Sequence, residues 1–481
     1  MIGSKYNLSS AIERDEVVKR EYIVLLAPNI NSSQLNSNDQ PIIIQSDMFQ
    51  NITMFSESEL ILTVSFYQDS TKANIITAND NVCPINNFVF SLFDSMELFI
   101  NDVLVESIRE MYYPLTMLKF ITRSKQYLDT IGPLETNILD SPFNNTNVAT
   151  DNSGWMKRNK FFITDAQTTG TTNGNGIYTV TKRHMQITVK LEDLFGFCFN
   201  YKRPLFKSRV RLELKRRVSD DLNKFMFYNR GNVGQAAIAA GPNNIPPAQN
   251  AVPAVCNYGF VHLDSVQVRV PQEFLETKEQ GLFESQFLGD KEISMLYYKR
   301  TIDTPYLQNT GEQVINFKLV TNPPEYIVFN IMEVPNPNIP SYFKNNGIFT
   351  NFLDTITDIS LSFGDSQIYP AQPFTVYDQM TCIDQLYKEY VKLCSRYGHD
   401  PQLSFYEFKY NYPFVVFDLS KHDRDIFANG CQIRLRFTLK TDNKKTFKLH
   451  VLYLEDCLLK TQLTPQGLVN LRRVNFNTIS S

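Results

Sequence analysis

The sequence predicts an all-β chain folded as two tandem β-sandwiches of one plan, each with a short helix inserted between strands. Three observations carry that prediction. One hairpin pattern is written twice, as SLFDSMELFINDVLVE (91–106) and TDISLSFGDSQIYP (357–370). Each copy is followed by a helical pattern and then by a strand of strict apolar–charged alternation, VRLEL at 210–214 and IRLRF at 433–437. The aromatic share is 13%, nearly all Phe and Tyr, and such residues favour pleated, half-buried surfaces.

Bulk properties bound the alternatives. At 481 residues and about 150 per domain, two to four domains fit. Apolar residues make up 43% and charged residues 20%, ordinary for a soluble chain with a sizeable core. A net charge of −3 and a pI of about 6.1 argue against a dedicated nucleic-acid wrapper, which carries a basic stripe and a pI above about 9. Seven cysteines with no CxxC pair read as reduced, mostly buried thiols rather than a disulfide framework or a zinc site. The opening MIGSKYNLSSAIERDE lacks the apolar core of a signal peptide. No apolar run approaches the ~18 residues of a membrane helix, so the expectation is a soluble protein made in the cytosol, with the sequons at Asn7, Asn31, Asn51 and Asn144 unused.

Along the chain, residues 1–44 are polar and Asn/Ser-rich with one apolar run, YIVLLAP, and read as an arm or a leading strand. LILTVSFYQ (60–68) is strand-like. In the first hairpin Met96, Leu98 and Ile100 share one face, Asn101-Asp102 supplies the turn, and Val103 and Val105 resume the alternation. Pro114 suits a first helical turn, and Met117, Phe120, Ile121 and Leu128 fall near one helical face. The stretch 137–176, rich in Asn, Thr and Gly, reads as one long surface loop, as does 229–256. Val210, Leu212 and Leu214 alternate with charges as in a half-buried antiparallel strand, and SVQVRVP closes the first half at Pro271.

The second half replays that order. GEQVINFKLV and EYIVFNIMEV are strands, and Gly364-Asp365 turns the second hairpin. A helix follows over 380–396 with Ile383, Leu386, Tyr387, Tyr390, Val391 and Cys394 on one face and Gly398 as its stop. Ile433, Leu435, Phe437 and Leu439 alternate, and KLHVLYLEDCLL ends the set before a tail bearing Arg472-Arg473. The offset between halves is 263 at Asp102 and Asp365 but 223 at Arg211 and Arg434. The difference of 40 matches the polar stretch at 137–176, which the second half lacks. Insertions are tolerated in surface loops, so the halves are read as a duplication of one β-rich unit, and two sandwiches of this kind point to eight-stranded jelly rolls. The expected boundaries are an arm over 1–44, a first roll over 45–271 with long loops at 137–176 and 229–256, a second roll over 272–460 and a tail over 461–481.

The pattern offers little chemistry. His184, His262, His399, His422 and His450 form no HExxH or HxH cluster. KHDRD (421–425) sets two carboxylates beside a histidine but equally suits a charged loop between strands. Glu192-Asp193 and Glu455-Asp456 are carboxylate pairs placed alike near strand ends, and acid–base work would need a cleft and split pKa values. NGNG (173–176) lacks the strand before and helix after that a dinucleotide loop requires. The basic set Lys202, Arg203, Lys207, Arg209, Arg211, Lys215, Arg216 and Arg217 is either a contact for nucleic acid or an acidic partner, or the solvated face of a strand; the second is favoured. No residue is assigned a catalytic, cofactor-binding or metal-ligating role, and the chain is not read as an enzyme.

SLFDSMELFINDVLVE followed by YYPLTMLKFI (112–121) resembles the double jelly-roll major capsid proteins of eukaryotic DNA viruses, in the group of Polinton/Maverick elements, adintoviruses and virophages. In that family a SLF segment leads into a hairpin with an Asn-containing turn, then a Tyr-Pro before a helix. The resemblance covers roughly residues 45–460. It implies a homotrimer whose six rolls make a pseudo-hexameric capsomer, tiling an icosahedral shell beside neighbouring capsomers, penton and minor capsid proteins. It also implies a place in the virion after synthesis in the host cytosol and assembly in cytoplasm or nucleus. The loops 137–176 and 229–256 would form the crown and trimer clasp, and the arm and tail would make inner or inter-capsomer contacts. No specific nucleic-acid binding and no membrane span are expected. The competing reading is a tandem β-sandwich binding protein, lectin-like or a minor virion protein.

Overall fold

Two sheets of matching strand order recur along the chain. The computed structural model describes residues 17–27, 31–68, 71–76, 82–141, 152–164, 166–176, 178–217, 225–227, 260–287, 293–307, 311–317, 324–334, 349, 356–364, 367–374, 381–422, 432–439, 446–461 and 472–474. In the first half the strands are β1 (Val17–Leu26), β2 (Ile42–Gln45), β3 (Ile52–Thr53), β4 (Glu59–Tyr67), β5 (Val82–Pro84), β6 (Phe93–Ile100), β7 (Val103–Arg109), β8 (Gln167–Thr172), β9 (Tyr178–Lys190), β10 (Val210–Arg216), β11 (Phe225–Phe227) and β12 (Phe260–Leu275). One sheet runs β1-β12-β4-β9-β8, with β3 also on β12, and the other runs β2-β10-β6-β7. Leu60, Leu62 and Val64 of β4 and Met96, Leu98 and Ile100 of β6 are buried in the shared core, as expected of two sheets packed face to face.

The second half has β13 (Ile293–Asp303), β14 (Gly311–Asn316), β15 (Tyr326–Glu333), β16 (Ile356–Phe363), β17 (Gln367–Phe374), β18 (Val415–Asp418), β19 (Ile433–Leu439), β20 (Phe447–Thr461) and β21 (Arg472–Val474). Its sheets run β13-β20-β15-β18, with β21 on β20, and β14-β19-β16-β17. Strand for strand this repeats β1-β12-β4-β9 and β2-β10-β6-β7. The strand that opens each roll neighbours the long strand that closes its barrel, β1 beside β12 and β13 beside β20, and the two rolls share eight matching strands, four in each sheet. This is the jelly roll, twice.

The two hairpins occupy the same place. Ile100 pairs with both Val103 and Val210, and Phe363 pairs with both Gln367 and Ile433. The amide of Asn101 donates to Arg209 O at 2.9 Å, and the amide of Gly364 donates to Gln432 O at 3.0 Å. Asn101, Asp102 and Gly364 all have left-handed φ, at 48°, 61° and 58°, the geometry that a tight hairpin turn requires. Asp365 lies outside the described residues.

Helices fill the connections: α1 (Ser32–Leu35), α2 (Val89–Leu92), α3 (Tyr112–Thr122), α4 (Lys125–Thr130), α5 (Ser153–Arg158), α6 (Leu191–Leu194), α7 (Gly196–Asn200), α8 (Thr277–Phe287), α9 (Thr381–Arg396) and α10 (Phe405–Tyr410). The helix expected after Pro114 is two helices. It stops at Thr122, and Ser124 caps α4 by accepting from the Tyr127 amide. α9 follows its predicted face, with Ile383, Leu386, Tyr390 and Cys394 buried and Gly398 in a left-handed stop at φ 80°.

Three expectations are corrected. The stretch 1–44 is not wholly an arm: β1 pairs with β12 along its length, and Ile23 and Leu25 pack on the core. The stretch 137–176 is not one surface loop. It contains α5, one wider helical turn over Asn159–Thr164 and the edge strand β8, and its Asn137, Asp140, Asn152 and Arg158 are fully buried. Asn152 and Arg158 both donate to the Asp140 carboxylate, and Arg158 also donates to the Pro84 and Ile138 carbonyls, which is how a polar stretch can be interior. The tail is not free of the second roll, because Arg472–Val474 pairs with Leu458–Lys460 of β20. The region 229–256 lies outside the described residues.

Candidate functional site: the seam between the rolls

The outer edge of the second roll's first strand, β13, docks on the first roll. The amides of Tyr298 and Arg300 face away from β20 and need partners. Tyr298 N–H donates to Asn200 Oδ1 at 3.2 Å, and Arg300 N–H donates to Glu106 Oε1 at 2.9 Å. Tyr297 OH donates to Val105 O at 2.9 Å, capping edge strand β7. The Arg300 guanidinium donates to Asp193 O at 2.6 Å and Glu192 O at 2.7 Å. Gly196 opens α7 directly against Tyr298 O, where any Cβ would strike the carbonyl. Burial pushes the Glu106 carboxyl above its usual range, while Arg300 and the Gly196 and Phe197 amides pull it back.

A second contact is aromatic. α3 lies under the sheet of the second roll, with the Phe120 ring 5.0 Å from Tyr412 and 6.2 Å from Phe349, and Tyr113 4.7 Å from His450. Tyr390 OH of α9 donates to Phe120 O at 3.0 Å. Nine residues of α3 are buried, because it faces both rolls. α9 has the same position in the second roll, yet Asp384, Gln385, Lys388, Lys392, Ser395 and Arg396 on it are exposed.

A third contact is a buried charge. Arg158 Nη2 sits 2.6 Å from Asp140 Oδ1, with both side chains fully buried. Arg158 also donates to Pro84 O and Ile138 O, at 2.8 and 2.6 Å. Asn152 Nδ2 and Tyr412 OH donate to the Asp140 carboxylate at 2.7 and 2.8 Å, and Asn411 Nδ2 donates to Asp140 O at 2.7 Å. Tyr412 and Asn411 belong to the second roll. The carboxylate therefore ties the rolls together while neutralising Arg158. Burial alone would lower the Arg158 pKa, and Asp140 outweighs it.

The residues singled out in the sequence fall elsewhere. Glu192 and Asp193 lie on α6 in a charged cluster. Burial would raise the Asp193 carboxyl, but Arg123 at 2.5 Å and Lys119 at 3.3 Å hold it well below its usual range. Glu455 and Asp456 are not their counterparts, since they sit within β20 opposite Lys299 and Tyr298. Residues 173–176 form the turn between β8 and β9, with Gly176 N–H donating to Asn173 O. His422 packs on Phe363 and Tyr369, Lys421 beside it is exposed, and Asp423, Arg424 and Asp425 lie outside the described residues. His399 meets Asp400 O, and His184 is paired within β9.

The basic set disperses. Arg216 is buried, donating to Leu92 O and Val261 O. Arg211 pairs with Glu213, Arg217 with Asp94, and Lys202 with Glu192. Cys83, Cys198, Cys394 and Cys457 are free and buried.

One arrangement escaped the sequence reading. Ser32 Oγ lies 3.0 Å from His262 Nε2, and His262 Nδ1 lies 3.1 Å from Asp264 Oδ1. That is the connectivity of an acyl-transfer triad. Asp264 is also held by Lys182 at 2.5 Å and by Ser65, and Asn36 exchanges bonds with both backbone groups of Leu263 beside it. The set works as a clasp fixing α1 to β12. Among the described residues no group of three or more His, Cys, Asp or Glu is placed to hold a metal ion. No helix among them is long and apolar enough to cross a membrane.

No protein-family model and no curated protein sequence matches the chain. Solved structures do. A chain in the structure of the Sputnik virophage superposes with a TM-score of 0.58 at 8% identity, over 97% of this chain and 91% of that one. The mavirus major capsid protein gives 0.52 at 11% identity, over 97% and 92%. A chain of the PBCV-1 virus capsid gives 0.50 at 10% identity, over 98% and 100%. With two matching rolls joined by a built seam, and likeness over nearly the full length, the chain has the double jelly-roll fold of viral major capsid proteins.

Proposed function

We propose that the chain is the major capsid protein of a DNA virus or virus-like element, trimerising into pseudo-hexameric capsomers that tile an icosahedral shell. The observation that supports this most is the seam. It locks two rolls of one plan side by side in a single chain, so three chains supply six similar units. Closed cyclic symmetry is the ordinary state of homo-oligomers, and six similar units around a threefold axis give a hexagonal outline that tiles. The role is structural rather than catalytic, and its partners are further copies, neighbouring capsomers, and penton and minor capsid proteins within the virion. The segments 1–16 and 475–481, outside the strands of the rolls, are assigned to contacts inside the shell or between capsomers. The test is the mass and shape of the purified protein. Light scattering should give three times 55.6 kDa, and electron micrographs should show hexagonal particles with a threefold centre. A monomer that persists at micromolar concentration would overturn the reading.

A further inference from the structure

We infer that the open edge of β1, with the apolar row Tyr22, Val24 and Leu26 beside it, is the docking surface for the second roll of another copy of this chain. The inference rests on the capsid reading and adds which face meets which.

β1 and β13 hold the same position, each the terminal strand of its sheet and each paired on one side with the long closing strand of its roll, β12 or β20. The free edge of β13 is covered within the chain. Asn200 and Glu106 take its amides, Tyr297 caps β7, and α3 and α7 lie against it and its sheet. Among the described residues no strand pairs with the free edge of β1. An uncovered sheet edge is a ready template for another chain and is ordinarily blunted or buried.

The side chains on β1 point the same way. Ile23 and Leu25 face the core. Tyr22, Val24 and Leu26, alternating with them, are 56%, 50% and 61% exposed. Three large apolar residues in line on one strand beside an open edge make a contact surface rather than the scattered exposure that soluble proteins tolerate. Arg269 and Arg20 flank the row, their guanidinium groups 5.1 and 5.8 Å from the Tyr22 ring.

The complementary surface is the flank of the second roll that corresponds to the one already in use on the first. On the first roll that flank is β7 with α6 and α7 against β13, and α3 against the sheet behind it. On the second it is β17 and α9. β17 is an edge strand presenting Ile368, and α9 keeps the exposed face that α3 has buried. The internal contact is heterologous, the flank of roll one against the first strand of roll two. One chain can use each half of that contact once, which leaves β1 at one end and β17 with α9 at the other. Head-to-tail contacts of this kind form rings where the rotation closes.

The test places a photo-cross-linking amino acid at Val24 in the full chain, with inter-chain products mapped by mass spectrometry. Products between Val24 and residues 367–374 or 381–396 of another copy are expected. Products within the same chain, including to residues 1–16, or products with the first roll of another copy would overturn the inference. Val24→Glu should shift the trimer to monomer with an unchanged circular-dichroism spectrum, while Leu134→Glu, also at an exposed apolar position, should leave the trimer intact. A wild-type trimer that survives Val24→Glu refutes this surface and leaves the capsid reading standing. A monomeric wild type refutes both.

Discussion

Arg158 shows how much of this fold depends on single buried polar groups. Its guanidinium donates to Asp140, Pro84 O and Ile138 O, and Asp140 in turn binds Tyr412 and Asn152. Removing one partner of a buried pair leaves a charge without compensation and costs about 3–5 kcal/mol. Asp140→Ala is therefore expected to lower stability by about that amount, read from the urea midpoint. The double change Asp140→Leu with Arg158→Met should cost less than Asp140→Ala alone, because no charge is then stranded. None of this was legible in the sequence. Asp140 and Arg158 stand among Asn, Thr and Gly residues that read as a loop, and their partners Asn411 and Tyr412 are more than 250 positions away. The same holds for Glu106 and Arg300, which meet across the seam with a separation of 194. Local pattern carries no information about such pairs.

At the scale of elements, legibility followed periodicity. Val210, Leu212 and Leu214 are buried with half-exposed charges between them, as are Ile433, Leu435 and Phe437, and both strands were readable from alternation alone. The hairpins were readable because turn chemistry is local. Asn101 and Asp102 both take left-handed φ, which costs an ordinary side chain about 1–2 kcal/mol. Asp102→Val should destabilise by about that much and Asp102→Gly should match or exceed wild type, both measured by thermal unfolding. β1 was harder to assign, since its outer row is apolar too and the alternation that marks a half-buried strand is missing. The charged cluster around Asp193 was likewise hidden, since Lys119 and Glu135 join it from separate elements.

For the whole molecule, the seam carries an acid sensitivity. His450 lies on β20 with its ring against Tyr113 of the first roll. Burial, with Lys448 and Arg217 adding to it, pushes its pKa down from the usual 6.5 to about 3. Folded protein keeps His450 neutral where the unfolded chain would be protonated. The unfolded state then binds more protons, so stability is full above pH 6.5 and is lost as pH falls through the window down to about 3. Between pH 7 and pH 5 this group should cost about 2 kcal/mol. His450→Phe keeps the ring and loses the proton site, so its urea midpoint should fall less over that interval than that of wild type.

The strand order also sets a timetable for a chain leaving the ribosome. β12 lies between β1 and β4, yet it is made last in its roll, with Phe260 following Val17 by 243 residues. At ~5–20 residues per second, β1 and β4 wait about 10–50 s for the strand that joins them. β20 imposes a second, shorter wait on β13 and β15. By then every strand of the first roll has been made, and β7 and α7 are the elements on which β13 docks. The nascent second roll thus has a template, and the first has none but its own last strand.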